Sequence, residues 1–175
     1  MNTMLTRLSA VFSRLATLAL WVAGIGPVAM TVAVAWQVYG RYVLGSTPRY
    51  TEALSIMLMA WFIFLGAAVG VRERYHLGFD VLLYFVPLRA KSVLRTISDV
   101  VVFAFGLGMV VYGGQLAALN WSVAIPTLGL PGFMSFLPII TGGVLICLFT
   151  IERLLQRFAG LDPDGDAALA EAVEN

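Results

Sequence analysis

The chain has 175 residues, 60% of them hydrophobic and only 12% charged, and its formal net charge at pH 7 is +1. An average soluble domain carries about 25% charged residues, and with a mean hydropathy of +0.90 one water-soluble domain of this size could not keep its apolar surface out of water. Lipid must be the solvent for most of the chain.

In chain order, the first uncharged run covers residues 15–40, between Arg14 and Arg41. Arg7, Arg14 and the small residues Ala33, Val34 and Ala35 resemble a secretory leader with its cleavage site. The apolar run, however, far exceeds the roughly 7–15 residues of a leader core, so it is expected to remain as a membrane span. A second run covers residues 53–71. The third uncharged stretch, residues 100–151, is too long for one helix, and Pro126, Gly129, Pro131 and Gly132 divide it into spans at about 100–119 and 133–151. A bilayer core needs about 20 helical residues, and the runs lack the alternation of barrel strands. The expected fold is an all-α integral membrane protein with four transmembrane helices, a single domain over residues 1–160. Residues 161–175 carry five acids and no base and read as a disordered acidic tail.

Lysine and arginine set the expected orientation. Nine of the eleven bases fall on one side: Arg7, Arg14, Arg72, Arg74, Arg89, Lys91, Arg95, Arg153 and Arg157. Only Arg41 and Arg49 fall on the other. Both termini are therefore expected in the cytoplasm. The connection between spans two and three contains "FDVLLYFVP" at 79–87, too short to cross and followed by bases, and is expected to form a short interfacial helix. Nucleic acid is not an expected partner, because the membrane rule alone accounts for those bases.

Candidate chemistry is sparse. Cys147 is the only cysteine and His76 the only histidine, so neither a dithiol centre nor a paired-histidine haem site can form. No metal, cofactor or enzyme activity is expected. Ionisable groups within spans mark ion or substrate pathways, and here Arg41, Glu52, Arg72 and Asp99 all lie near span ends. Arg41 and Glu52 are expected at similar depth and form a candidate ion pair, while Arg95 and Asp99, four apart, can pair along one helix. Gly66 and Gly70 form a small-residue face on span two, of the kind that permits close helix packing or docking of a membrane partner. Glycines also dot spans three and four, and Pro27 and Pro138 are expected to kink or loosen their helices.

The segment "RYVLGSTPRYTEALSIMLMAWFIFLGAAVGVRERYHLGFDVL" resembles the small membrane subunit (DctQ-like) of tripartite ATP-independent periplasmic, or TRAP, transporters. The likeness lies in Arg41 ending span one, Glu52 opening span two, Gly66, and then Arg72 followed by His76. "IPTLGLPGFMSFLPIITGGVLICLFTIERL", with Glu152 and Arg153 near its end, resembles the last loop and helix of that family. One departure is that Tyr50 and the single acid Glu52 stand where the family often has tryptophan and two acids. The resemblance implies a subunit of the bacterial inner membrane that pairs with a large TRAP membrane subunit, which holds the substrate and ion sites. A periplasmic substrate-binding protein would deliver an organic acid, and an ion gradient, usually sodium, would drive uptake. Arg41, Glu52, Gly66, Gly70, Arg72 and His76 are then candidate structural or partner-interface residues. Two other readings are a self-contained homo-oligomeric four-helix transporter or channel, and a tetraspan structural protein. A small multidrug exporter would need a carboxylate deep in a span, which this chain lacks.

Overall fold

A computed structural model describes the backbone of residues 2–46, 48–73 and 88–158, and the side chains of 12–46, 48–73 and 93–157. Four long helices follow one another: α1 (Asn2–Tyr42), α2 (Tyr50–Glu73), α3 (Leu88–Leu119) and α4 (Leu137–Phe158). Each contains a stretch long and apolar enough to cross a membrane. The helices outrun the uncharged runs, because a helix continues through charged residues once these reach the headgroup zone. The sites of the expected interfacial helix (79–87), of His76 and of the acidic tail lie outside the described residues.

α1 runs through Pro27 without a break. Proline deprives the helix of one N–H, and nearby Thr31 donates its hydroxyl to the Pro27 carbonyl at 2.8 Å. The turn after α1 folds back on Gly40, where a Cβ would stand 3.0 Å from both Pro48 Cδ and Ser46 O. Gly45, at φ +62°, supplies the left-handed residue that this reversal needs. Thr51, buried in the first turn of α2, donates its hydroxyl to Pro48 O at 2.7 Å.

Between α3 and α4 lies a compact hairpin. Strands β1 (Ala124–Ile125) and β2 (Leu130–Pro131) pair antiparallel, with Ala124 opposite Pro131 and Ile125 opposite Leu130. Gly129, at φ +65°, closes the turn and donates to Ile125 O at 2.9 Å. Trp121 stacks on Phe133 with ring centroids 4.5 Å apart. A 3₁₀ turn (Gly132–Phe136) then leads into α4. Pro138 thus occupies the first turn of α4, where its missing N–H has no helical partner to lose. It starts that helix and does not kink it, contrary to the expectation from sequence.

The helices form a row more than a closed ring: α1 packs along α2, α2 along α4, and α4 along α3. At one end α1 also reaches α4, with Phe12 edge-on to Phe149 at 6.3 Å. Ala16, Ala68, Val71, Met109, Ile146 and Phe149 make the main buried core.

Close approach along this row depends on glycine, but not on the expected pair. A Cβ at Gly143 would meet Gly106 O at 2.8 Å, and one at Gly142 would meet Phe64 Cβ at 2.8 Å. A Cβ at Gly26 would likewise meet Phe62 Cβ at 2.8 Å. These contacts bring α4 onto α3 and α2, and α1 onto α2. By contrast, a Cβ at Gly66 would find only Ala23 Cβ, at 4.0 Å, and one at Gly70 nothing within 4 Å. The Gly66–Gly70 face is therefore not a tight crossing within the chain.

Candidate functional site

Helix polarity brings the first half of α1, the end of α2, the first half of α3 and the end of α4 to one side of the row. There the charged residues converge. Arg153 of α4 donates to Asp99 Oδ1 of α3 at 2.9 Å and also to the Val71 carbonyl of α2. That carbonyl lies in the last described turn of α2. One guanidinium thereby ties three helices together.

Arg157, one helical turn further, places Nη1 3.2 Å from Asp99 Oδ2 and donates it to Thr96 Oγ1 at 3.0 Å. Proximity and hydrogen bonding diverge at this oxygen: among the described residues no donor meets hydrogen-bond geometry at the buried Oδ2. Arg157 therefore acts on Asp99 by charge and on Thr96 by hydrogen bond. The Asp99 side chain is 5% exposed, and those of Arg153 and Arg157 are 15% and 16%. Groups so far removed from water must be paired, since breaking one side of a buried ion pair costs about 3–5 kcal/mol.

Arg72, at the end of α2, is held more loosely. Its Nε stands 3.8 Å from Glu152 Oε2, and its guanidinium lies 5.4 Å from the centroid of the Phe149 ring. Glu152 is buried, and its other oxygen accepts from Gln156 at 3.4 Å. A cleft of about 300 Å³ opens beside this pair, lined by Ser13, Arg72, Glu73, Phe149, Glu152, Arg153 and Gln156.

Of the residues singled out by sequence, Arg72 enters this cluster, whereas Arg41 and Glu52 lie at the opposite end. Both are exposed. Arg41 sits 5.9 Å from the Tyr42 ring centroid, and among the described residues no ion pair joins it to Glu52. With both groups in reach of water, such a pair would gain only about 0–1 kcal/mol. Glu52 instead occupies the first turn of α2, where the helix dipole favours a negative charge. Asp99, read from sequence as a same-helix partner of Arg95, meets α4. Sequence reasoning also missed the Arg72–Glu152 and Arg153–Val71 contacts. The available signal was a buried-depth carboxylate on span three facing an arginine-bearing end of span four. Among the described residues no group of acids, histidines or cysteines could hold a metal ion.

Residues 30–160, which contain Arg41, Glu52 and every charged member of the cluster, match the family described as Tripartite ATP-independent periplasmic transporters, DctQ component. The chain belongs to the DctQ family. A Haemophilus influenzae protein named as a TRAP transporter small permease is 28% identical over 128 residues, covering 73% of this chain and 79% of that protein. A C4-dicarboxylate TRAP transporter small permease protein of Vibrio cholerae is 27% identical over 79 residues, 45% of this chain and 34% of the relative. A protein of the same description from Pseudomonas aeruginosa is 39% identical over 84 residues, 47% of this chain and 37% of the relative. The chain thus spans about a third of the length of these two relatives. DctQ family membership, together with four apolar helices, makes the chain a multi-pass protein of the inner membrane and a component of a transport system.

Proposed function

We propose that this DctQ-family subunit is the fixed scaffold of a TRAP transporter, bracing a large membrane subunit that carries the substrate. That system takes up an organic acid delivered by a periplasmic binding protein, driven by an ion gradient, with sodium as the expected ion. The observation that carries this reading is the distribution of charge. The described charged residues gather toward the ends of the apolar membrane-spanning stretches, and at one end they pair across α2, α3 and α4. A carrier needs polar groups at mid-depth that can exchange partners; this chain has apolar spans whose ends are tied together. Such a row of helices suits a part that stays still while another moves. The names of two relatives support an acid as the substrate class.

The test is uptake of radiolabelled organic acids by cells carrying this chain, the large subunit and the binding protein. Omitting this chain should abolish uptake. The purified chain in liposomes should move no acid along or against a sodium gradient. Substrate-specific uptake by the isolated chain would replace this reading with that of a self-contained transporter.

A further inference from the structure

We propose that the cleft between α1, α2 and α4 seats the headgroup of a membrane phospholipid carrying a primary amine, its phosphate on Arg72 and its ammonium toward Glu73. The inference goes beyond the scaffold reading and needs only that the chain spans a membrane.

Two observations carry it. Among the described residues Arg72 is under-satisfied: its side chain is 19% exposed, yet its one charged contact is the 3.8 Å approach of Nε to Glu152, and neither Nη group has a hydrogen-bond acceptor. A guanidinium offers five N–H donors in a planar fork suited to phosphate, and a phosphate oxygen within the cleft would fill that gap. Second, the cleft carries both signs of charge at the right depth. It lies at the end of the membrane-spanning stretches of α2 and α4, where headgroups reside, and exposed Glu73 forms part of its wall. A phosphate beside Arg72 thus has a carboxylate nearby for an ammonium, an arrangement that a phosphoethanolamine headgroup matches. Phosphatidylglycerol and free phosphate lack the cation, and phosphatidylcholine lacks the N–H donors.

The experiment is native mass spectrometry of the full chain purified in detergent and titrated separately with dioleoyl phosphatidylethanolamine, dioleoyl phosphatidylglycerol, dioleoyl phosphatidylcholine and inorganic phosphate. The expected result is one phosphatidylethanolamine per chain, held more tightly than the other three. Arg72→Gln should weaken it roughly tenfold, the equivalent of one charge-assisted hydrogen bond, whereas Arg49→Gln, exposed at the opposite end, should not. Glu73→Gln, a change at an exposed position that leaves the fold intact, should erase the preference for phosphatidylethanolamine over phosphatidylglycerol. Equal retention of all three lipids, tighter binding of free phosphate, indifference to Arg72→Gln, or an unchanged lipid preference in Glu73→Gln would each overturn the proposal.

Discussion

Arg153 and Asp99 are 54 residues apart in sequence and 2.9 Å apart in space, and their bond joins α4 to α3 at the end where both helices leave the apolar layer. Because Arg153 also meets the last-turn carbonyl of Val71, this pair fixes the order of the row as well as one of its contacts.

Asp99→Asn keeps the shape and an acceptor oxygen but removes the charge that Arg153 and Arg157 share. The variant should lose about 3 kcal/mol, the low end for breaking a buried pair because both arginines retain some access to water. Thermal unfolding in detergent measures the loss. Arg153→Met in the Asp99→Asn background should cost less than Arg153→Met alone, with a coupling of about 1–3 kcal/mol. Strict additivity would mean that the pair does not hold the helices.

The glycine crossings yield a contrast between two substitutions of the same chemical size. Gly143→Ala would force its Cβ to 2.8 Å from Gly106 O and 2.9 Å from Met109 Cβ, so α3 and α4 must separate, at a cost of about 1–3 kcal/mol. Gly70→Ala meets nothing within 4 Å and should leave the stability of the isolated chain unchanged, or raise it by up to about 1 kcal/mol through lower backbone entropy in the unfolded state. Equal destabilisation by the two substitutions would contradict the packing described.

How far these contacts could be read in advance depended on range. The four spans were legible because each is a continuous run whose length a bilayer dictates, and the break between α3 and α4 because Pro126, Gly129, Pro131 and Gly132 interrupt one long run; the strand pairing within that break was not. Arg72 was legible as a candidate by its place at a span end. Its partner Glu152 was not, since 80 positions separate them and nothing in either segment specifies which helices adjoin. The same limit hid the pairing of Asp99 with Arg153, while Arg95, four residues away, offered a local partner. Gly66 and Gly70 show the converse. The small-residue spacing is visible in sequence, but whether a neighbour fills it depends on the helix order, and here the neighbour does not. Pro138 differed for a local reason: the 3₁₀ turn ahead of it delays the start of α4, moving the proline from helix interior to first turn.

The basic asymmetry predicts a cytoplasmic C-terminus and an external β1–β2 hairpin. In a Cys147→Ala background, Thr127→Cys, at an exposed site in that hairpin, should react in intact spheroplasts with a maleimide that cannot cross the membrane. A reporter active only in the cytoplasm, fused after Asn175, should be active. Labelling of position 127 only after lysis would reverse the orientation and move the charged cluster to the periplasmic side.

Arg41 and Glu52 share one end of the row without pairing, so any contribution they make to transport should be separable. Each is exposed and each has a local reason for its place: Arg41 beside the Tyr42 ring, Glu52 in the first turn of α2. Neither Arg41→Gln nor Glu52→Gln should lower the stability of the purified chain by more than about 0.5 kcal/mol, the usual range for exposed substitutions. If the two residues meet different groups on the large subunit, each single change should weaken co-purification with it, and the double change should weaken it by the sum of the two effects to within about 0.5 kcal/mol. The charge exchange, Arg41→Glu with Glu52→Arg, should recover nothing, because a swap restores only pairs whose members face each other. The measurement is the amount of large subunit retained on the tagged chain across a detergent wash series, alongside uptake in cells carrying all three components. Recovery by the exchange would show that the two residues do come together once the large subunit is bound, and would place the first external turn in a different conformation within the assembled transporter.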